Sequence, residues 1–246
     1  IRLSLQFMQT GGTTACIEFR EGDVEGVEAA REAAADLAVD PVVLGRGSTA
    51  AMEAADGFGA SGAEDADFTR ERNATARADK LFGIHAGEVR ASDINPAMDL
   101  EPDFLVHMVH AAPLHLERVA DSGTPVVVCP RSNLVTDVGT PPVRELLDRT
   151  TVALGTDNAF LNSPSMFREM AFTAKLFDVT SAEVLRMATR NGAHIAGLDA
   201  GLLEEGRPAD LLVLDGDSDN LAGVQDIRRA VVRRAGVHDV KRAIHA

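Results

Sequence analysis

The sequence predicts an α/β protein, a (β/α)8 barrel one unit short of completion, followed by a small β unit. Three observations point there. Short apolar, β-branched runs alternate with helix-patterned segments of about a dozen residues, the signal of repeated βα units and a parallel sheet. Residues of metal-ligand and proton-carrier type recur at the C-terminal ends of those runs. At 246 residues and 45% hydrophobic content, the chain can bury one large α/β core.

The elements follow in order. Residues 2–9 read as an amphipathic helix. Strands are expected near 14–19, 41–46, 57–61, 81–85, 104–107, 125–129 and 152–156, which makes seven. Helices are expected over 24–38, with its Glu/Ala/Arg pattern, and over 68–79, 114–122, 142–149 and 167–177. A final helical pair spans 181–189 and 192–197, with Ser181 as the N-cap. An open doubly wound sheet is the competing architecture, but it calls for a glycine-rich phosphate loop. Gly11-Gly12 and the Gly45/Gly47 region are too short and wrongly framed for one. Beyond Gly201 the texture changes: 206–210 is a turn, 211–214 a strand, and 227–234 reads as a second strand. The domain division expected is therefore 1–200 for the barrel and 201–246 for the β unit.

Composition excludes several functions. The net charge is -14, and the cations are three Lys (Lys80, Lys175, Lys241) against 21 Arg, with 22 Asp among 38 acids. Such a surface repels nucleic acid and anionic membranes, because neutralising phosphates needs a basic patch. No run of 18 apolar residues occurs, so no membrane span is expected. Cys16 and Cys129 each lie in an apolar strand-like stretch and read as buried free thiols, which implies a cytoplasmic setting. The first residue is Ile1, and 2–9 lacks the layout of a signal peptide, so the sequence reads as beginning inside a larger protein.

The chemistry-bearing residues sit at predicted strand ends. His85 and Glu88 end one strand and His107 ends the next. The turn Cys129-Pro130-Arg131-Ser132-Asn133 ends a third, and Asp157 follows the last. Barrel enzymes assemble their sites from several strand ends on this rim. His110 lies three residues past His107. His115, His194, His238 and His245 fall in helical or tail contexts and read as structural or solvated.

The series His85-Ala86-Gly87-Glu88, Leu105 through His110, Cys129 through Asn133, Gly155-Thr156-Asp157-Asn158 and Met187 through Ala193 resembles the amidohydrolase superfamily, in particular its deaminase and chlorohydrolase branch. Residues 201–215 resemble the segment re-entering that family's flanking β-sandwich. The resemblance implies a TIM-type barrel lacking its first strand. It implies one divalent metal ion, zinc or iron, held by His85 and Asp157. Glu88 would then shuttle protons, His107 would orient the attacking water, and Asp157 would accept its proton. His110, Ser132, Asn133 and Asn158 would face the substrate, a small heterocyclic molecule, and a homodimer is left open. The implied reaction is hydrolysis of a carbon–nitrogen bond in a cyclic amidine, with deamination of a nucleobase or related heterocycle as the leading expectation.

One departure stands out. The family's first strand carries a His-x-His pair of further ligands, and none is present. The preferred expectation is that these ligands lie upstream in a longer enzyme, so that this segment alone binds metal weakly. The alternatives are a degenerate, catalytically silent barrel serving as a subunit or scaffold, and a hydrolase of amides or chlorotriazines. The scarcity of Lys and abundance of Asp also suggest adaptation to high salt, where screening relieves self-repulsion. Thermal unfolding midpoints should then rise between low and molar salt, and flat midpoints would refute this.

Overall fold

A computed structural model describes residues 1–245. The elements are α1 (Arg2–Thr10), β1 (Ala15–Arg20), α2 (Asp23–Ala34), β2 (Asp40–Gly45), α3 (Thr49–Ala54), β3 (Gly57–Gly62), α4 (Thr69–Ala78), β4 (Leu81–Ala86), α5 (Ile94–Asp99), β5 (Phe104–His107), α6 (Pro113–Ser122) and β6 (Val126–Val128). They continue with α7 (Pro130–Val135), α8 (Val143–Leu147), β7 (Val152–Leu154), α9 (Met166–Leu176), α10 (Ser181–Ala188), α11 (Arg190–Ile195), β8 (Leu211–Leu214), α12 (Ile227–Arg233) and β9 (Val240–Ile244).

Strands β1 to β7 form one sheet in sequence order, every neighbouring pair parallel. Parallel neighbours require a crossover, and at least one helix fills each connection. The sheet is strongly curled. Four strand spacings separate β1 from β5, about 19 Å if flat, yet the rings of Phe19 on β1 and Phe104 on β5 lie 6.0 Å apart. Seven parallel strands thus make a partial barrel whose edge strands are β1 and β7.

Two cores follow from strand alternation. Phe82, Ile84 and Ala86 of β4 point outward and join Leu105, Val126, Val128, Val152 and the surrounding helices in the larger cluster. Val42, Leu44, Phe104, Val106 and Ala153 point inward and meet Ile195 of α11, with Phe19 packed against them. Gly83 makes the inner packing feasible, since a Cβ there would stand 2.3 Å from the Phe104 ring.

All seven expected barrel strands are present, with ends shifted by one or two residues. Three expectations fail. Residues 227–234 do not form a strand: Asp226 accepts from the Arg229 N–H at 3.0 Å as an N-cap, and Ile227–Arg233 is helical. Its Ala230 and Val232 are buried in the larger core, and Arg233 donates to the Ala174 carbonyl of α9 at 2.8 Å. Packing against α9 therefore overrides a β-branched sequence. The antiparallel partner of β8 is β9, with Leu211 opposite Ile244. The N-cap of α10 is Thr180, not Ser181: Thr180 and Glu183 form a reciprocal capping box. Finally, the expected turn at 129–133 winds into α7.

Candidate active site

The β4–β5 register delivers two imidazoles to one rim. His85 sits opposite Val106, and Ala86 opposite His107. His85 points into the barrel mouth, where its ring meets Phe19 edge-on at 4.7 Å. Its Nδ1 lies 2.8 Å from the Ala60 carbonyl, beside a register shift between Ala60 and Gly62. With Nδ1–H donating there, Nε2 carries the free lone pair.

His107 shares its strand parity with outward-facing Leu105, so simple alternation would aim it away from His85. The backbone instead turns left-handed, with φ of 79° at His107 and 53° at Met108. Rotation about N–Cα brings the buried ring to 5.4 Å from that of His85, stacked at 29°. Such a conformation costs about 1–3 kcal/mol in a residue with a Cβ and clusters at functional sites. Glu88 follows a second left-handed turn at Gly87, φ 65°, whose N–H donates to Asp93 Oδ1 at 2.8 Å. Glycine is required there, since a Cβ would also lie 2.7 Å from Ile94 Cδ1. Glu88 Oε2 reaches to 3.6 Å from His107 Nε2.

Asp157 arrives from the far edge, just after β7, with φ of 55°. Ligand atoms of Glu88, His107 and Asp157 all lie within 4.8 Å of one another, a group to which His85 does not belong. The short helix α7 supports both sides. Ser132 Oγ donates to Asp157 Oδ2, and Asn133 Nδ2 lies 3.0 Å from His107 Nδ1. Both side chains are fully buried and committed to those partners. With the amide donating, His107 holds its proton on Nε2, aimed at Glu88. His110 and Asn158 are exposed on the rim: His110 donates its backbone N–H to the Gly87 carbonyl at 2.9 Å, and Asn158 Oδ1 accepts from Phe160 N at 2.9 Å.

Burial sets the electrostatics. It pushes the His85 imidazole below its usual range, against the pull of Asp157. His107 is lowered too, first by burial and then by His85. Glu88 is raised by burial, then by Asp157 and Asp93. The site therefore pairs neutral imidazoles with a carboxyl that keeps its proton to higher pH than a free glutamate.

Sequence reasoning missed Glu169 and gave Arg131 no role. Glu169 on α9 is fully buried, and Arg131 nearly so. They meet directly behind Ser132 and Asn133, with Arg131 Nη1 3.3 Å from Glu169 Oε2.

The profile of the amidohydrolase family matches residues 101–239, more than half of the chain, and the chain belongs to that family. It is 34% identical to an aminohydrolase-named protein of Methanothermobacter thermautotrophicus, over 87% of this chain and 65% of that protein. It is 33% identical to a 5-methylthioadenosine/S-adenosylhomocysteine deaminase of Haloquadratum walsbyi, over 72% of this chain and 46% of the relative. The chain thus spans less than two thirds of these relatives. Its fold matches the zinc complex of an atrazine chlorohydrolase from Arthrobacter aurescens with a TM-score of 0.82 at 21% identity, over 99% of this chain and 69% of that one.

Glu169 makes one consequence of burial measurable. Its carboxyl is pushed up to about 7, chiefly by burial and against the pull of Arg131. The folded state therefore binds this proton more tightly than the unfolded chain does. The resulting stability is full below the unfolded pKa near 4.5 and is lost as pH rises through about 7. Relative to Glu169→Gln, wild type should lose unfolding free energy across that window in denaturant titrations. Parallel profiles would contradict it.

Proposed function

We propose that the whole protein is a metal-dependent hydrolase that deaminates a nucleobase or related heterocycle. The observation that carries this reading is the convergence of Glu88, His107 and Asp157 within 4.8 Å, with the free Nε2 of His85 on the same rim. Deaminase-named relatives support the reaction, and a zinc-bound adenosine deaminase among similar folds supports the metal.

The donor set fits a borderline cation such as zinc or iron. His85 offers a neutral imidazole whose tautomer is fixed by the Ala60 carbonyl, and Asp157 offers a carboxylate oriented by Ser132. When bound there, the cation supplies Lewis acidity that makes water a stronger acid at neutral pH. The chain's own groups then move the protons. Asp157 accepts a proton from the attacking water as its oxygen bonds to the sp² ring carbon. Glu88, whose carboxyl burial and neighbouring acids hold above the usual glutamate range, donates its proton to the ring nitrogen. The proton of the added hydroxyl then passes through Glu88 to the amine, and the C–N bond breaks as the carbonyl forms and ammonia leaves, the proton held by Asp157 restoring Glu88. The Nε2–H of His107, fixed by Asn133, orients the oxygen that becomes the product carbonyl. His110 and Asn158, both exposed, would meet the rest of the substrate.

The setting proposed is cytoplasmic and saline. Both thiols, Cys16 and Cys129, are free, and no helix among the described residues is long and apolar enough to cross a membrane. Ammonia release should be assayed with full-length, metal-loaded protein on nucleobases, nucleosides and pterins, with chloride release from chlorotriazines in parallel. Release from at least one heterocyclic amine is expected, and Glu88→Gln should lower kcat by roughly 10²–10⁴. No ammonia from any substrate, or a Glu88→Gln enzyme equal to wild type, sinks the proposal.

A further inference from the structure

Helix α7 holds both supporting contacts of the site but has little to hold itself. It is six residues long, its N-cap Cys129 contributes no side-chain cap, and Pro130 has no N–H to donate. One of its early donors, the backbone N–H of Arg131, is buried and is taken by Glu169 Oε1 of α9 at 3.0 Å. A carboxylate at that end also complements the helix dipole. The Arg131 guanidinium then reaches into the segment after β7. Nη1 donates to the Ser163 and Ser165 carbonyls at 3.3 and 3.4 Å, and Nη2 to Asn162 Oδ1 at 3.1 Å and the Ser163 carbonyl at 3.3 Å. That segment begins at Asp157. One buried pair thus ties together the helix that carries Ser132 and Asn133, the segment that begins at Asp157, and α9.

We propose that Arg131 and Glu169 are positioning residues: they fix α7 against the 158–165 segment, and through Ser132 and Asn133 they set the places of Asp157 and His107. Neither touches the reacting atoms. The path is physically continuous, from Glu169 to the Arg131 backbone, along one helical turn to Ser132 and Asn133, and across to Asp157 and His107. Arg131 is suited to the task because a planar guanidinium holds its donors in a fixed fork, which here spans acceptors on Asn162, Ser163 and Ser165.

The test uses the full-length protein with Arg131→Met, which keeps much of the apolar stem and removes every guanidinium bond. The Glu169 carboxyl, already pushed up by burial, takes up a proton in the variant, so no naked charge opposes folding. Hydrogen exchange should quicken in peptides covering 130–135 and 158–165 and stay unchanged in β1 to β4. Zinc affinity, read by chelator competition, should fall about tenfold, the usual scale for supporting groups around a metal ligand. Added to Ser132→Ala, the same substitution should cost less than about twofold more, because groups acting through one contact are not additive.

Exchange that quickens uniformly along the chain, or a tenfold loss repeated in the Ser132→Ala background, overturns the proposal. Asn162→Ala removes one guanidinium acceptor and leaves the buried pair intact, so it covers the case in which Arg131→Met does not fold. It should quicken exchange in the same two segments by less, and unchanged exchange in both overturns the proposal as well. The kinetic arm rests on the deaminase reading: kcat should fall while KM stays within about threefold, as for a group that acts on the transition state. Wild type that binds zinc but releases no ammonia defeats that reading alone, since the exchange and zinc arms need no substrate.

Discussion

The parallel register of β4 and β5 is the constraint on which the site depends. With His85 opposite Val106 and Ala86 opposite His107, the two imidazoles emerge one residue apart on adjacent strands. A slip of one residue would exchange the inner and outer faces of a strand. It would turn the His85 ring out against the helices and pull Phe82 and Ile84 from the outer core into the barrel, and the register is held because those outward residues are fully buried in that core. The left-handed backbone at His107 completes the geometry by turning an outward position toward the mouth.

Burial then decides protonation. Two ionised carboxylates at the 4.8 Å separation that bounds the Glu88–Asp157 group would repel by about 3 kcal/mol at an effective dielectric of 20, before solvent screening. Desolvation of Glu88 adds to that cost, and its proton affinity is raised accordingly. Asp157 accepts the Ser132 hydroxyl and sits nearer solvent. Two acids in one mouth thus stand in different surroundings.

The strands and rim positions of His85, Glu88, His107 and Asp157 were legible because periodicity and residue type are local properties. What was not legible is tertiary. Ile227 to Arg233 carries β-branched residues in a pattern that suits a strand, and only the buried surface of α9 selects the helix; Asp226 before it was the available N-cap signal. Ser132 and Asn133 were placed on the substrate side from their motif, whereas their partners in space are Asp157 and His107, residues 25 and 26 positions away. Glu169 reads in sequence as an ordinary first-turn acid of α9, and its burial beneath α7 follows only from how the connections wrap.

The sharpest distinction left concerns which residues would hold the metal. Ligation by His85 and Asp157 leaves Glu88 and His107 for proton transfer and orientation, but Glu88, His107 and Asp157 form a compact donor group of their own. Anomalous scattering at the zinc edge from zinc-loaded crystals of the full-length protein separates the two. A peak about 2.0–2.2 Å from both His85 Nε2 and Asp157 is expected. A peak bound by Glu88 and His107 and remote from His85 would contradict the assignment of roles.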